Sequence, residues 1–587
     1  MTPKHTNTGI SRRGALQSGI GGVAFAAAGI SAQAMSSQDQ KSVPAVSPCS
    51  GKISAPADQN VVETRAGKVR GFRRGPVYVF KGIPYSAATS GANRFSAPKP
   101  VEPWSGIRSA MSYGPSAPNS FGVAEPGARL PLGDEDAFLL YRGFEHTIQS
   151  EDCLRVNVWT PGLSATGKRP VMVFMHGGGF TGGSGNDLQS YEGTALAASQ
   201  DVVVITHNHR LNVFGYLNLE QLGGERYRES ANVGLLDIVA VLRWVQDNVA
   251  QFGGDPNQVM IFGQSGGGGK VNCLLAMPAA KGLFKAAAIE SGSILRVADA
   301  EYSTAMAAEF LKQLGINGKD LSRLETASTE ETMVAARKAA AKTARRGGPG
   351  ARVSLKGPLP GWGPTRDGST LPEHPCDPSA PAISAEVPVI IGTNEHEFIN
   401  GVDNPEVDTL TEGEMRARVQ TMFGEKSDKI VQAYRNYYPG RSPFDVYAAI
   451  AASGARSAAV AQGTRKAALK RAGVYEYIYA WRTPVLGGRP GTFHSAEIAM
   501  VFNNAAYCDR YTGATPEALA LSQQMSAAWV SLVRTGKPHH PGLPEWAEYD
   551  GETRKTMIFD SRSRLVSNPE GEGLALIEAA TADSQSS

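Results

Sequence analysis

Four short runs of apolar residues, each ending at polar or glycine-rich sequence, mark the central part of the chain: residues 170–175, 202–206, 259–262 and 387–391. Their apolar positions do not alternate with polar ones, which is typical of parallel strands covered on both faces. Alanine-rich stretches with spaced charges at about 300–345 and 410–472 instead predict helical insertions, which we expect above the carboxyl ends of the strands. The pattern therefore predicts the α/β fold class with a largely parallel central sheet.

The body of the chain shows neither a repeat nor a compositional break between residues 60 and 565. Although 587 residues would suffice for several domains, α/β folds with large insertions reach this length as one unit. We therefore predict a single domain over residues 59–587. The formal net charge of +3 is too small to indicate binding of nucleic acid or of an anionic membrane.

A serine follows the third apolar run, within the sequence G-Q-S-G-G-G-G-K at residues 263–270. Gly263 and Gly267 bracket Ser265, as the strained strand-to-helix turn G-x-S-x-G requires. A phosphate-binding loop is excluded, because the run lacks both its first glycine and the serine or threonine that should follow Lys270. Ser265 is therefore the candidate nucleophile.

A second glycine-rich loop follows the first apolar run directly, in the sequence His176-Gly-Gly-Gly-Phe180. An oxyanion that forms during acyl transfer needs backbone N–H donors that approach it closely, and consecutive glycines allow that approach. An H-G-G-G loop after an early strand has this role in serine hydrolases with an α/β sheet. We therefore expect an oxyanion hole at this loop.

With these two motifs, the chain resembles the type-B carboxylesterase family, which includes cholinesterases and bacterial carboxylesterases. Further family motifs recur in order from about residue 60 to 565, among them Phe80-Lys-Gly-Ile-Pro-Tyr85, Glu151-Asp-Cys-Leu, Asn232-Val-Gly-Leu-Leu-Asp237 and Phe252-Gly-Gly-Asp-Pro256. The resemblance implies the α/β-hydrolase fold and, as oxyanion donors, the N–H groups of Gly178, Gly179 and Gly266.

A serine hydroxyl needs a base and an orienting carboxylate, which follow it in this fold in the order acid, then histidine. Glu397 comes shortly after the apolar run 387–391 and matches the acid of the family by position, although Phe398 replaces the usual glycine. Asp367 is an alternative acid, but an Asp-Gly pair between prolines is more simply a turn. Among the histidines after Ser265, His494 lies in a segment that resembles the histidine loop of the family.

The resemblance implies a serine carboxylic-ester hydrolase that works through an acyl-enzyme and requires neither a metal nor an organic cofactor. His207-x-His209 could suggest a metal site, but no third ligand lies nearby in the sequence. Amide or carbamate hydrolysis and acyl transfer with the same triad stay open, as does a non-catalytic binding relative, which the intact Ser265, Glu397 and His494 disfavour.

The substrate predicted from the sequence is an apolar or aromatic small-molecule ester. Choline esters are disfavoured for two reasons. Residues 106–156 contain no tryptophan, whereas cholinesterases carry one in this region for the cationic head of choline. Gln264 also replaces the glutamate that precedes the serine in cholinesterases. Four aromatic residues between Tyr113 and Gln149 favour an apolar or aromatic ester: Phe121, Phe138, Tyr141 and Phe144.

The beginning of the chain resembles an export signal. Ser11-Arg-Arg13 is followed by a weakly apolar stretch and by the small-residue site Ala32-Gln-Ala34. We predict a twin-arginine signal peptide at residues 1–34, a disordered linker at 35–58, recognition by the twin-arginine export machinery, and a periplasmic or secreted location. A retained membrane anchor is the alternative; after removal of the signal, no stretch is long and apolar enough to insert into a bilayer.

Overall fold

The apolar runs form the centre of a twelve-stranded sheet in the computed structural model, which describes residues 51–55, 59–119, 139–140, 148–317, 320–344 and 361–586. The strands of the described residues are, in chain order, β1 Ile53–Ser54, β2 Val61–Thr64, β3 Gly67–Arg70, β4 Phe72–Arg74, β5 Val77–Pro84, β6 Ile107–Ser109, β7 Arg155–Thr160, β8 Arg169–Met175, β9 Val203–His207, β10 Gly254–Gln264, β11 Ala286–Glu290, β12 Ala298–Asp299, β13 Thr365–Arg366, β14 Val389–Asn394, β15 Val474–Tyr479, β16 Lys555–Phe559 and β17 Arg564–Ser567.

The main sheet has the strand order β1-β4-β5-β7-β9-β8-β10-β11-β14-β15-β16-β17. Its strands run parallel from β9 through β16 and antiparallel at both ends. This arrangement confirms the predicted α/β class and largely parallel sheet. The predicted runs correspond to β8, β9, β10 and β14, and the last of them begins at Val389, directly after a proline that has no N–H for the ladder.

Both faces of the central strands are buried, which explains why their sequences do not alternate. In β8, Val171 and Val173 belong to one apolar cluster, whereas Met172 and Phe174 belong to another. Full burial of each such side chain stabilises the fold by roughly 1.5–3 kcal/mol. A strand with apolar groups on both faces must lie between two layers. The loop that follows its carboxyl end therefore starts at the edge of the sheet, where such folds form their ligand sites.

Helices cover the sheet and form the two predicted insertions. In chain order they are α1 Thr194–Gln200, α2 Asn212–Tyr216, α3 Glu220–Gly223, α4 Val233–Asn248, α5 Gly266–Ala276, α6 Ala300–Gln313, α7 Arg323–Thr326, α8 Thr329–Ala344, α9 Glu406–Thr409, α10 Glu412–Phe423, α11 Ser427–Tyr437, α12 Pro443–Ala467, α13 Ile498–Val501, α14 Asp509–Thr512, α15 Pro516–Thr535 and α16 Gly571–Ser586. The second insertion starts with a capping box between Thr411 and Glu414, and the Ser442 side chain caps α12.

The described residues from 51 onward form one compact unit. Strand β1 pairs with Arg73 and Arg74 of β4, so the main sheet begins a few residues before the start of the domain that was predicted at residue 59. The predicted signal peptide and the rest of the predicted linker lie outside the described residues, as do the aromatic residues of the 121–144 loop. Within the described part of the chain, none of the helices combines the length and apolarity needed to cross a bilayer.

Candidate active site

Ser265 lies at a sharp turn between β10 and α5. Its backbone has φ 58° and ψ −126°, which is a strained conformation for a residue with a side chain. A Cβ at Gly263 would lie 2.6 Å from the carbonyl carbon of Gly267, and a Cβ at Gly267 would lie 1.9 Å from the carbonyl oxygen of Met175. Both flanking positions therefore require glycine, as the G-x-S-x-G motif predicts.

The glycine loop after β8 packs directly against the beginning of α5. Gly178 and Gly179 have φ values of 86° and 62°, which side chains rarely allow. A Cβ at Gly266 would lie 2.2 Å from the carbonyl oxygen of Gly179, so the two backbones are in contact. The N–H of Gly266 begins the helix and has no partner within it. The structure thus brings the three predicted oxyanion donors into one small region.

Glu397 lies in the loop that follows β14, where the buried strand ends. Its side chain is buried, and its Oε1 accepts a hydrogen bond from the backbone N–H of Asn394 at 2.9 Å. Burial acts to raise the pKa of this carboxyl, but the hydrogen bonds and charge that it meets, first of all at His494, outweigh burial and hold the pKa below its usual value. Glu397 is therefore ionised at neutral pH.

His494 and Glu397 are joined by both backbone and side chain. The N–H of His494 donates to the carbonyl oxygen of Glu397 at 2.7 Å, and Phe493 forms a parallel bridge with Glu397. The side-chain Nδ1 of His494 lies 2.5 Å from Oε2 of Glu397. Because an ionised carboxylate only accepts hydrogen bonds, this contact places a proton on Nδ1 and leaves Nε2 as the basic atom.

Gln264 connects this pair to the turn that carries Ser265. Its amide nitrogen lies 3.3 Å from Nε2 of His494, and its Oε1 accepts a hydrogen bond from the hydroxyl of Ser495 at 3.1 Å. The same amide nitrogen lies 3.5 Å from Nδ1, so the amide lies against the imidazole ring. Since Gln264 immediately precedes Ser265, the imidazole lies beside the turn. The structure therefore brings Ser265, Glu397 and His494, which are far apart in the sequence, into one site.

Asp367, the alternative acid, has a different role. Its Oδ1 accepts the backbone N–H groups of Ser369 and Leu371, and its Oδ2 accepts the side-chain amide of Asn232. These bonds close the turn that the Asp-Gly pair predicts, and they occupy both carboxylate oxygens.

A second carboxyl, Glu497, lies beside the Glu397–His494 pair and is in the opposite state. Burial, with the nearby charge of Glu397, raises the pKa of Glu497 to about 8. The side-chain amide of Asn394 donates to Glu497 at 2.6 Å and to the carbonyl oxygen of Phe493 at 2.8 Å. One buried carboxyl is thus charged while its neighbour is mostly protonated at neutral pH, which limits repulsion behind His494.

Three residues at the site were not assigned a role from the sequence. The amide of Gln264 contacts the imidazole, the ring of Phe398 lies tilted against His494 with centroids 4.1 Å apart, and Lys270 is buried beneath the glycine loop. The sequence marks Lys270 as unusual, because a lysine stands between four glycines and the apolar remainder of α5. Phe398 is 66% exposed and gives no such signal.

His207 and His209, the pair that could suggest a metal site, are fully buried. The rings of His209 and His176 lie 4.7 Å apart, and those of His207 and His209 lie 5.3 Å apart. Burial lowers the pKa of His207 to about 3 and that of His209 well below its usual value. Within the residues that the structure describes, no cluster of three or more potential ligands has a geometry that could hold a metal ion.

The chain is similar to carboxylesterases over nearly its whole length. The model of the Carboxylesterase family matches residues 58–575. The para-nitrobenzyl esterase of Bacillus subtilis is 34% identical over 519 residues, which are 87% of this chain and 97% of that protein. The fumonisin B1 esterase of Sphingopyxis macrogoltabida is 33% identical over 534 residues, which are 88% of each chain.

Solved structures show the same likeness. An esterase from the anaerobic Clostridium hathewayi, which can hydrolyse aliphatic aromatic polyesters, superimposes with a TM-score of 0.77 at 33% identity. The superposition covers 90% of this chain and 99% of that one. The range matched by the family model, residues 58–575, includes every residue predicted for the site.

Proposed function

Because the chain belongs to the carboxylesterase family and is a carboxylic-ester hydrolase of the α/β-hydrolase fold, we propose that it works as a serine esterase through Ser265, His494 and Glu397. One observation carries this proposal. The 2.5 Å contact between Nδ1 of His494 and Oε2 of Glu397 leaves Nε2 as the basic atom, beside the residue that precedes Ser265. This is the arrangement that a hydroxyl nucleophile requires.

In the first half of the reaction, Nε2 of His494 takes the proton of Ser265 as Oγ attacks the ester carbonyl carbon. The charge that develops on the carbonyl oxygen is stabilised by the N–H groups of Gly178, Gly179 and Gly266. His494 then gives its proton to the departing alcohol, which leaves an acyl group on Ser265.

In the second half, a water molecule gives a proton to Nε2 of His494 and attacks the acyl carbon. Collapse of this second tetrahedral intermediate releases the carboxylic acid, and Ser265 recovers its proton from His494. Glu397 stays ionised throughout, which its lowered pKa favours, and it stabilises the imidazolium that forms in each half.

We propose an apolar or aromatic ester as the substrate. The ring of Phe398 supports this proposal, because it is 66% exposed and lies against the imidazole at the site. An exposed aromatic surface beside the reacting atoms favours a flat or apolar group in the substrate. The names of the similar para-nitrobenzyl esterase and the polyester-hydrolysing esterase agree with aromatic substrates.

The proposal is tested with a panel of 4-nitrophenyl esters of graded acyl length, extended by amide and carbamate analogues, and with a fluorophosphonate probe. We expect ester turnover and a covalent adduct on the peptide that contains Ser265. Ser265→Ala should abolish both while circular dichroism shows an unchanged fold. Substantial turnover by Ser265→Ala, or an adduct on another peptide, would contradict the assignment of the nucleophile.

We further propose that residues 1–34 are a twin-arginine signal and that the protein is periplasmic or secreted. The support is the sequence Ser11-Arg-Arg13 with its apolar stretch and small-residue site. Replacing both Arg12 and Arg13 with lysine should keep active enzyme in the cytoplasm with the signal attached. The measurement is esterase activity in each cell fraction together with the mass of the intact protein; normal export of this variant would refute the assignment.

A further inference from the structure

Lys270 ties the helix that follows Ser265 to the glycine loop. Its side chain is fully buried on α5. Its Nζ donates hydrogen bonds to the carbonyl oxygen of His176 at 2.9 Å and to that of Gly179 at 3.0 Å. One ammonium group therefore holds two points of the loop at once.

The two bound carbonyl groups flank the donor peptides of the oxyanion hole. The N–H groups of Gly178 and Gly179 belong to the two peptide units between the His176 carbonyl and the Gly179 carbonyl. Because peptide units are planar, holding the units on either side restricts the rotations left to the two between them. Glycine loses more conformational freedom on folding than any other residue, so a loop of three glycines needs such an external anchor.

The same helix supplies the third donor. Gly266 is the first residue of α5, and its backbone lies against Gly179. A rigid helix that presents one donor at its start and an anchoring ammonium one turn later keeps all three donors in a constant arrangement. Preorganised donors of this kind are what lower the barrier of acyl transfer.

The surroundings of Lys270 give the ammonium few other partners. The ring of Phe180 lies 5.7 Å from Nζ, and among the described residues no carboxylate pairs with the group. Burial lowers the pKa of Lys270 to about 7, so its charged form carries a cost in desolvation, and in either protonation state Nζ has the two hydrogen atoms that the two carbonyl bonds require. A methionine of similar length would avoid this cost, and the carbonyl contacts are what a methionine could not make.

We propose that Lys270 is a positioning residue of the oxyanion hole, acting through the carbonyl groups of His176 and Gly179. It contacts no reacting atom, and its effect falls on the geometry of the N–H donors. The inference rests on the proposed function, because it assigns the oxyanion to the N–H groups of Gly178, Gly179 and Gly266.

The chain contains a matched control. Lys466 on α12 is also buried, and its Nζ donates to two backbone carbonyl oxygens, those of Ser384 at 2.6 Å and Ala385 at 3.0 Å. Burial lowers its pKa to about 8. Lys466→Met therefore removes a buried ammonium with two carbonyl bonds at a place that touches neither the glycine loop nor the triad.

The experiment compares Lys270→Met and Lys466→Met with the wild-type chain in three measurements: thermal unfolding, kcat and KM on one 4-nitrophenyl ester, and inhibition by an aryl trifluoromethyl ketone. Ser265 Oγ adds to the carbonyl carbon of this ketone, its proton passes to His494, and the ketone oxygen becomes an oxyanion. The inhibition constant therefore reports on the oxyanion hole without any turnover.

We expect Lys270→Met to lower kcat on the order of 10- to 100-fold with KM nearly unchanged, less than complete loss of a donor costs, because the donors remain but are less well held. The inhibition constant for the ketone should rise by a similar factor. Lys270→Gln, which keeps a neutral donor, should lie between Lys270→Met and the wild type. Lys466→Met should lose stability and keep kcat and the inhibition constant within about twofold.

Equal kcat and equal ketone inhibition for Lys270→Met and the wild type would overturn the proposal, and so would equal losses in the Lys270→Met and Lys466→Met variants. If Lys270→Met does not fold, the same comparison is made with Lys270→Gln and Lys466→Gln. Failure of the proposed function itself is recognised separately, since turnover and fluorophosphonate labelling would then survive Ser265→Ala.

Discussion

The two halves of the site are built in different ways. On the half formed by residues 176–180 and 263–267, the proposed functional groups apart from the Ser265 hydroxyl are backbone N–H groups, and added Cβ atoms at Gly178, Gly263, Gly266 and Gly267 would collide with the neighbouring backbone. On the half formed by residues 394–398 and 493–497, side chains do the work, through a buried network of carboxyl, amide and imidazole groups. In the proposed mechanism, the first half receives negative charge during the reaction, and the second half moves a proton.

The two halves therefore tolerate different substitutions. A backbone donor cannot be deleted by changing its own side chain, so the donors of the first half, unlike the Ser265 hydroxyl, are damaged by steric bulk or by loss of an anchor. The second half depends on the charge and hydrogen-bonding capacity of single side chains, and an isosteric substitution is enough to disable it. The side-chain half is therefore tested with acid-to-amide substitutions, which keep the shape of the side chain. The backbone half is tested with glycine-to-alanine substitutions, which add a methyl group.

Among the substitutions that compare the two halves, the largest effect is expected from Glu397→Gln on the side-chain half. The amide keeps the shape of the carboxylate, but it no longer holds the Nδ1–H tautomer of His494 or stabilises the imidazolium. Loss of the corresponding aspartate in a serine protease costs about 10⁴ in turnover. We expect a fall of that order in kcat on a 4-nitrophenyl ester, with circular dichroism unchanged.

Asp367→Asn is the control for this prediction. It is also an acid-to-amide change, but at a carboxylate that closes its own turn and binds Asn232. Turnover of this variant should stay near that of the wild type. If Asp367→Asn were the inactive variant and Glu397→Gln the active one, the acid would be wrongly assigned and the comparison between the halves would fail.

The next effect is expected from Gly178→Ala on the backbone half. This glycine has φ 86°, and an added Cβ would lie 2.5 Å from the carbonyl oxygen of Gly182, so the loop must move. Displacement of one donor typically costs on the order of 10² to 10³ in kcat. Stopped-flow acylation with an activated ester measures the step directly.

Gly368→Ala is the control, because this glycine has a similar φ of 78° but no atom within 4 Å of the added Cβ. It carries the same backbone strain in a turn away from the site and should leave acylation unchanged. Equal acylation rates for Gly178→Ala and Gly368→Ala would mean that the glycine loop does not bind the oxyanion.

The backbone half could be predicted from the sequence more fully than the side-chain half, for a physical reason. Only glycine fits the left-handed conformations and close contacts around Ser265, so a run of glycines after an apolar strand indicates the turn by itself. Glu397 also has a positive φ, of 52°, and is not glycine. Its loop geometry is maintained by contacts distant in sequence, such as the bridge to Phe493.

For the same reason, the sheet was predicted while parts of the site were not. Unbroken apolar runs report burial on both faces locally, and the boundaries of β8, β9 and β14 agree with their runs to within a few residues, whereas β10 extends from Gly254 to Gln264 around the run 259–262. The role of Lys270 depends on which carbonyl groups lie above α5, and nothing in its own segment specifies them. The contact of Gln264 with His494 likewise joins residues 230 positions apart.

A smaller effect is expected from Gln264→Glu, which places a carboxylate where the two halves meet. The present amide nitrogen lies 3.3 Å from Nε2 of His494. A negative charge there favours the protonated imidazole, which cannot act as the base. The acid limb of the kcat/KM profile should therefore move to higher pH, with the plateau at alkaline pH reduced only severalfold. A profile that does not move, or that moves to lower pH, would show that residue 264 does not sense the imidazole.

The smallest expected effect is on stability, and it again concerns the side-chain half. Burial opposes ionisation of Glu397, but the bonds from His494 and from the N–H of Asn394 lower its pKa below the usual value. Ionised Glu397 therefore stabilises the folded chain above the unfolded pKa of about 4.3, and this contribution is lost as the pH falls through the lower folded pKa. Glu397→Gln has no such group, so it should be less stable than the wild type by about 1–3 kcal/mol at neutral pH. Urea unfolding of both proteins from neutral pH to about pH 3.5 should show this difference shrinking below about pH 4. A difference that persists or widens in acid would mean that packing of the side chain, rather than its charge, holds this half of the site together.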